Sequence, residues 1–578
     1  MAAEIQALLD KSVICESSVE PDQFVSNVFL REKKNSGKFR MIFNLTKLND
    51  FVTYNKFKME TLDTALKMIT PGAAMASLDF TDAYYTLPVH LDHQKYLKFR
   101  FQGKLYQFLA LPMGLSSACR FFTKILKVPL SILREHANIT ITGYIDDTLL
   151  VQRSPSDCSL AVNLAYDLFT NLGFTVNDAN SVLTPTTTIE YLGFIIDSRA
   201  MTVTPTVEKV EKIRKAVLQL HKKPHTTIRR VAQVTGSLMA THAGNPWAPL
   251  FTRQLEIEKI SALQRNQFDF DAPMTISHRI QTDLKWWLNN LDSLQANILD
   301  KDPDLVIFTD ASLMGYGFYV PSSNTMAGSR WSPSEASFHI NVLEIMAIEN
   351  ALKSYCSPFN NVHIRIMSDN TTAIASINKQ GSTRSWECND AGHRIWLWAL
   401  NRNMWLSAAH IPGIENVEAD LASREFKDEL EWTLKTTIFD HIVQLFGMPQ
   451  MDLFASRLNY KVRPFCAFQP DPLANTIDAF TITWHGFLGY AFPPFCLLGR
   501  IIQKIIQDRA EIILIAPDWP TKPWYTFLRA LSIAPPYHFS VTNDTLSLPH
   551  RLPQNQSIHP LAGRLRLTAW RLSGTHFN

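Results

Sequence analysis

A multidomain chain of mixed α+β and α/β type is what this sequence predicts. Three features carry that expectation: a length of 578 residues, a composition of 46% hydrophobic and 19% charged residues, and two separate sets of acids that close short apolar, strand-like runs. At about 100–200 residues per domain, the length accommodates three or four domains. The composition suits a globular chain with a sizeable core rather than a disordered one. Formal net charge is only +3, so a polyanionic partner has to be met by local basic clusters. Such clusters occur at Lys33 to Arg40, His221-Lys222-Lys223, Arg229-Arg230 and Arg564-Leu565-Arg566. Each alone is more often a solvated face than a binding patch.

The first acid set centres on Gly143-Tyr144-Ile145-Asp146-Asp147-Thr148-Leu149-Leu150, which reads as strand, turn and strand. Carboxylates in apolar surroundings cost free energy unless a cation meets them. Mg²⁺ is a natural partner, taking oxygen ligands from one or two carboxylates plus substrate phosphates. The bland reading of Asp-Asp is a hairpin turn. Upstream, Ala76-Ser77-Leu78-Asp79-Phe80-Thr81-Asp82-Ala83-Tyr84-Tyr85 reads as a second strand whose apolar part ends at Asp79. Asp79 and Asp146 on neighbouring strands would point at one spot. Two ions about 3.5–4 Å apart between such acids clamp the attacking and leaving oxygens of an in-line phosphoryl displacement. Tyr84 would wall the same pocket and exclude a ribose 2′-hydroxyl.

The order Asp79…Asp82-Ala83-Tyr84, Leu111-Pro112-Met113-Gly114-Leu115-Ser116-Ser117, Tyr144-Ile145-Asp146-Asp147 resembles the palm of a reverse transcriptase. The resemblance spans roughly residues 1–270. It implies a right-hand polymerase with fingers and palm at 1–200, a thumb at 201–270 and a connector at 271–302. It also implies that Lys33 and Arg40, on a basic hairpin, pair with the triphosphate of an incoming nucleotide. Asp82, Ala83, Tyr84, Met113, Gly114 and Tyr144 would line the nucleotide pocket, and Leu192-Gly193 would lie in the hairpin that grips the primer end. Two positions depart from the family pattern. Met113 stands where many retroviral enzymes carry Gln. Asn180 stands where the fourth palm motif commonly has a Lys, thought to protonate leaving pyrophosphate; Asn cannot act as that general acid.

The second set follows Leu305-Val306-Ile307-Phe308-Thr309, a buried-strand run that leads to Asp310. Glu344 lies in a helical stretch, Asp369 closes the alternating run from His363, and Asp420 follows His410-Ile411-Pro412-Gly413. Four acids on separate elements repel one another unless a cation joins them. As a set they resemble a ribonuclease H active site over about residues 303–425. That resemblance implies a ribonuclease H fold at 303–430, two Mg²⁺ or Mn²⁺ ions at each of the two active sites, and His410 in a mobile loop that aids product release. Glu349 and Glu415 lack motif support and read as solvated. The helical spacing of Val207, Val210, Ile213, Val217 and Leu220 suits a thumb helix, and Trp286-Trp287 reads as core.

Residues 431–545 carry Asp452-Leu453-Phe454-Ala455-Ser456-Arg457 and later Ala491-Phe492-Pro493-Pro494-Phe495. This resembles a phage-type adenine-N6 DNA methyltransferase with Phe492 where Asn or Asp would hold the target amino group. A degenerate α/β scaffold without methyl transfer is the expectation, followed by a tail at 546–578. This domain order resembles DIRS-like, tyrosine-recombinase retrotransposons, which implies a tyrosine recombinase encoded downstream. The implied partners are RNA template, DNA primer, RNA–DNA hybrid and deoxynucleoside triphosphates. The alternatives are an LTR retrotransposon or pararetrovirus polymerase, or a decayed copy that only binds nucleic acid. Seven scattered cysteines without a Cys-x-x-Cys pair suit reduced thiols, and neither a secretory signal nor a membrane-spanning run is evident. An intracellular location, cytoplasm and/or nucleus, follows as an expectation.

Overall fold

The computed structural model describes residues 1–32, 39–299, 301–426, 431–552 and 555–576. They form two compact units, Met1–Ala248 with Asp269–Asp300, and Pro249–Phe268 with Lys301–Asn578. Among the described residues, no helix is long and apolar enough to cross a membrane.

The central sheet of the first unit has the order Val182–Thr186, Ala74–Thr81, Asp147–Gln152, Ile141–Tyr144. Its strands are buried on both faces, so Ala74–Thr81 reads as a near-continuous apolar run. Period-two alternation divides that run. Ala74, Ala76, Leu78 and Phe80 pack with Phe122, Leu126 and Phe169 from the helices Ala118–His136 and Pro155–Asn171. Met75 turns to the opposite face, with Leu149, Val151, Ile189 and Tyr191. Asp79 and Asp147 continue the faces of Met75 and Leu149 by the same alternation. A five-stranded sheet, from Ile14–Ser17 to Phe39–Asn44, forms a separate core around Phe43, Phe99 and Phe108.

The expected thumb helix runs Val207–Lys222, with Ile213, Val217 and Leu220 buried. Val207 is exposed, so the apolar stripe starts further along than its spacing suggested. The helix His278–Asn290 packs on it, Trp287 is fully buried, and Trp286 meets Trp287 edge-on at 5.5 Å. The strand Ala296–Asn297 pairs with Thr202–Pro205, which joins the expected connector to the first unit. Residues Pro249–Phe268, expected within the thumb, belong to the second unit instead. Arg253 ties them there by donating to the Lys379 carbonyl at 2.8 Å, and the Leu250 N–H donates to Gln380.

The second unit holds two five-stranded sheets. In the first, Thr325–Arg330, Gly315–Val320 and Leu305–Ala311 are antiparallel, and His363–Ser368 and Trp405–His410 add in parallel. The helix Ile340–Tyr355 crosses this sheet, and the helix Val417–Arg424 lies against it where Gly317 and Gly328 leave room. In the second sheet, Met451–Asp452, Leu488–Ala491 and Glu511–Pro517 are parallel. Arg566–Ser573 then pairs antiparallel with Glu511–Pro517 over seven positions. The expected tail therefore supplies an interior strand: Leu567, Ala569, Trp570 and Leu572 are buried. Its alternation was obscured because both of its faces are covered.

A Cβ at Gly317 would lie 2.3 Å from the Ala419 carbonyl oxygen and 2.4 Å from the Ser423 nitrogen. Both are backbone atoms that can yield only if the helix moves. Gly317→Ala is expected to destabilise the second unit by about 1–3 kcal/mol or more, the range for overpacking. Thermal unfolding checks this; an unchanged midpoint would refute such close helix–strand packing.

Candidate active sites

In the first unit the acids gather at a tight hairpin. Tyr144 and Asp147 face each other across it, leaving Ile145 and Asp146 as the turn. Ile145 has φ +56°, a conformation that a β-branched residue adopts only under strain of about 1–3 kcal/mol. Asp147, not Asp146, is the in-register partner of Asp79. Asp146 is joined to the same strand through its carbonyl, which accepts the Phe80 N–H at 2.9 Å. All three acids thus sit at one end of the strand pair. Burial, then the charges of Asp146 and Asp79, push Asp147 up to about 6.

Side chains around the hairpin fix its shape. Asp79 Oδ2 accepts from Asn177 Nδ2 at 3.0 Å and Asn180 Nδ2 at 3.3 Å. Asn180, the departure from the family's Lys, is therefore a direct neighbour of this acid. Glu60, not singled out from sequence, accepts from Arg134 at 2.7 Å, Thr142 Oγ1 at 2.7 Å and the Gly143 N–H at 3.0 Å. Burial raises its pKa, but these donors hold it below the usual range. They anchor the strand that enters the turn.

The expected nucleotide contacts are placed as follows. Asp82 has φ +53° and pairs with Lys11 at 2.5 Å, and Ala83 is buried. Tyr84 packs edge-on against Phe122 at 5.5 Å, with its hydroxyl 3.1 Å from Cys119 Sγ. That hydroxyl is raised above its usual pKa by burial and by Cys119, with smaller effects from Asp146 and Tyr144, which puts it beside the hairpin. Met113 is half-buried, and Gly114 has φ +99°, which only glycine adopts readily. Asn49 brackets their loop: its Nδ2 donates to the Gly114 carbonyl at 2.9 Å and its Oδ1 accepts the Ser116 N–H at 2.8 Å. Leu192 and Gly193, both at positive φ, form the turn between Thr188–Tyr191 and Phe194–Asp197. Lys209 lies beside this turn, its Nζ 3.6 Å from the Phe194 ring centre, and burial, then Lys212, lowers it to about 8. Lys33 lies outside the described residues. Arg40 is described only by its strand position opposite Arg31.

In the second unit, Asp310, Glu344 and Asp369 each offer an oxygen, and these oxygens all lie within 4.8 Å of one another. Asp310 sits in the central strand and Glu344 on the adjacent helix; Asp369 follows the next strand. Ser423 Oγ donates to Asp310 Oδ2 at 2.7 Å. Burial raises the pKa of Asp310, as do Asp420 and Asp369. Glu344 is pushed up to about 9 by burial, then by Asp310 and Asp369. Among the described residues its Oε2 is buried without a hydrogen-bond partner. Three close carboxylates with one unsatisfied oxygen suit a hard divalent cation, which accepts oxygen ligands only.

Asp420 stands at the edge of this trio. It is half-exposed and bound to Arg424 Nε at 2.7 Å, although its charge reaches Asp310. His410 is exposed and ends the strand Trp405–His410, so it is a strand residue rather than part of a loop. Glu349 is not solvated as expected. It is buried and bound by Lys353 at 2.7 Å and Arg394 at 2.8 Å; burial raises it, but these partners hold it below the usual range. The missed signal was Lys353 four residues along the same helix. Glu415 is exposed.

Because Glu344 keeps its proton in the folded chain up to about pH 9 against an ordinary 4.5, its neutral form stabilises the fold. That contribution is complete below about pH 4.5 and is lost as pH rises towards about 9. In chelator, wild-type thermal midpoints are expected to fall across this window, and Glu344→Gln is expected to flatten the fall. Parallel curves for the two proteins would contradict the assignment.

Residues 32–196 match the family described as reverse transcriptase (RNA-dependent DNA polymerase). The Tf2-3 and Tf2-7 transposon polyproteins of Schizosaccharomyces pombe are 22% identical over 423 residues. These alignments cover 69% of this chain but 29% of the polyproteins, so the chain spans under a third of their length. Foamy viral protease–reverse transcriptase structures are also similar. One, dRH in complex with double-stranded DNA, has a TM-score of 0.44 at 16% identity, covering 71% of this chain and 70% of that one. Another, in complex with RNA/DNA hybrid, has 0.42 at 15%, covering 74% and 56%. The first unit thus carries a reverse transcriptase domain at residues 32–196, in a chain similar to Tf2 transposon polyproteins.

Proposed function

We propose that the chain is an RNA-directed DNA polymerase that also degrades the RNA of the hybrid it makes. The observation that carries the first activity is the clustering of Asp146 and Asp147, at a hairpin turn, with Asp79 on the adjacent strand, within the residues that match the reverse transcriptase family. The second rests on the convergence of Asp310, Glu344 and Asp369 in a sheet with two parallel strands added to an antiparallel trio.

In this reading Asp79, Asp146 and Asp147 would hold Mg²⁺ or Mn²⁺ in the palm, and Asp310, Glu344, Asp369 and Asp420 would do so in the second unit. When bound, such ions stabilise the charge that develops on the oxygens around the reacting phosphorus. The side chains do the rest. Lys33 and Arg40 meet the triphosphate. Asp82, Ala83, Met113, Gly114 and Tyr144 shape the nucleotide pocket, and Tyr84 excludes a 2′-hydroxyl from it. Leu192 and Gly193 position the primer end. Asn177 and Asn180 orient Asp79, and Asn180 supplies no proton to the leaving group. His410, exposed at a strand end, aids product exit. Template RNA, DNA primer, hybrid and deoxynucleoside triphosphates are the partners this chemistry requires.

The C-terminal sheet is read as a methyltransferase-like scaffold that transfers no methyl group, because Phe492 cannot accept hydrogen bonds from a target amine. Its Asp-Leu-Phe-Ala-Ser segment supports a DIRS-like source with a downstream recombinase, whereas similarity to the Tf2 polyproteins favours an LTR-type element.

Separability tests the central reading. Asp146→Asn is expected to bring RNA-templated DNA synthesis to background while sparing hybrid cleavage, and Asp369→Asn is expected to do the reverse. Primer extension and hybrid-cleavage assays on both variants, with and without chelator, check this. Synthesis surviving in Asp146→Asn would overturn the palm assignment. Asn180→Lys is expected to raise single-turnover incorporation, by up to about 100-fold if proton delivery limits the rate. An unchanged rate would mean that another group supplies the proton or that proton delivery does not limit the rate.

A further inference from the structure

Arg457 follows the Asp-Leu-Phe-Ala-Ser segment, in the loop after the short strand Met451–Asp452. Its backbone N–H donates to Asp471 Oδ2 at 2.7 Å, which fixes the loop. Its side chain leaves its own sheet and enters the neighbouring one, where it is only 6% exposed. Nη1 and Nη2 donate to the two oxygens of Glu335 at 3.0 Å each, and Nη2 also donates to the Arg330 carbonyl at 2.5 Å. The guanidinium carbon lies 5.4 Å from the Tyr316 ring centre and 6.0 Å from that of Trp331. A planar fork can pair with a carboxylate and stack on rings at once; a lysine ammonium cannot.

The segments that receive Arg457 also shape Asp310. Tyr316 is fully buried and faces Ala311 across the strand pair, next to Asp310 opposite Gly317. Trp331 Nε1 donates to the Ser312 carbonyl at 2.9 Å. Ser312 Oγ donates to the Ser423 carbonyl at 2.6 Å, and Ser423 Oγ donates to Asp310 Oδ2 at 2.7 Å. A continuous set of contacts therefore runs from the C-terminal sheet to one carboxylate of the acidic trio. Gln469 Nε2 adds a second tie, to the Gly328 carbonyl at 2.5 Å.

We propose that Arg457 is a positioning residue for the acidic site, and that the C-terminal sheet serves as a clamp that holds Asp310 in place for its cation. The proposal rests on reading Asp310, Glu344 and Asp369 as a cation-dependent nuclease site. Groups hydrogen-bonded to a metal ligand, as Ser423 is to Asp310, typically change affinity or activity about 10- to 100-fold when removed, and Arg457, which acts through them, belongs at the low end.

The test uses the full chain. Arg457→Met is expected to raise the Mg²⁺ concentration for half-maximal hybrid cleavage about tenfold, with RNA-templated DNA synthesis unchanged. Glu335→Gln, which keeps shape and removes the charge, is expected to shift it in the same direction, and Arg457→Lys to fall between Met and wild type. Thermal stabilisation by Mn²⁺ gives a readout without turnover: weaker in Arg457→Met than in wild type, and weaker still in Asp310→Asn, where only the palm acids remain to bind the ion. A wild-type Mg²⁺ requirement and wild-type Mn²⁺ stabilisation in both Arg457→Met and Glu335→Gln would overturn the proposal. Should Arg457→Met not fold, Glu335→Gln decides by the same criteria. If wild type cleaves no hybrid yet its Mn²⁺ stabilisation still depends on Arg457, the nuclease reading fails and the positioning role stands.

Discussion

Repulsion between carboxylates crowded together and partly or wholly withdrawn from water is the constraint on which both candidate sites depend. Desolvation and like charge act in the same direction on such groups, each favouring the protonated form. Glu344, crowded by Asp310 and Asp369, is pushed up to about 9, and Asp147, beside Asp146 and Asp79, to about 6. Two acids elsewhere in the chain behave oppositely. Glu60 and Glu349 are also withdrawn from water, yet arginine and other donors hold both below the usual range. Asp452 and Asp471 are raised as well, but by burial with no like charge beside them, so it is like charge added to desolvation, and not the sign of the shift alone, that sets Glu344 and Asp147 apart. Perturbation by desolvation plus like charge is the physical mark of a functional cluster.

Backbone devices bring the acids together against that repulsion. In the first unit, strand alternation puts Asp79 opposite Asp147, and a turn with Ile145 in the left-handed region holds Asp146 at the tip. In the second, Gly317 and Gly328 let the helix Val417–Arg424 approach the sheet so closely that Ser423 reaches Asp310. Neither arrangement is set by the acids themselves. Surrounding contacts are strong enough to keep them close: Glu60 on Gly143 and Thr142 in one case, and Ser312 on Ser423 in the other.

The sequence made legible what repeats with a short period or falls at a strand end. Asp79, Asp310 and Asp369 stand out because strand-like runs end at them, Asp146 and Asp147 because two adjacent acids interrupt apolar residues, and Trp287 as one of an adjacent tryptophan pair in a helical stretch. What depends on distant partners was not legible. Glu349 looked solvated until Arg394 arrived from another helix. Asn49 acts on a loop 65 residues away and Glu60 on a strand 82 residues away, with no local pattern to mark them. The strand Arg566–Ser573 reads as a tail in the sequence because coverage of both faces removes the polar–apolar alternation by which an exposed strand is recognised. The order of Asp79 against Asp146 and Asp147 turned on a single-residue register, which only the hairpin geometry fixes.

The C-terminal sheet illustrates how one motif can be turned to structure. Asp452, the acid of the Asp-Leu-Phe-Ala-Ser segment, is 2% exposed and accepts the backbone N–H groups of Lys461 at 2.9 Å and Phe454 at 3.3 Å. Burial lifts it to about 7, against the pull of those two donors, so it organises its own loop. Phe492 packs with the core around Tyr490 and Ile515. With these two side chains committed inward, the polar reach of the region is carried by Arg457 and Gln469, and both end on the neighbouring sheet. A buried Arg–carboxylate pair is weak support for stability as such, since apolar packing would serve as well. What it supplies is a single allowed geometry, and in this unit that geometry ends at the strand bearing Asp310.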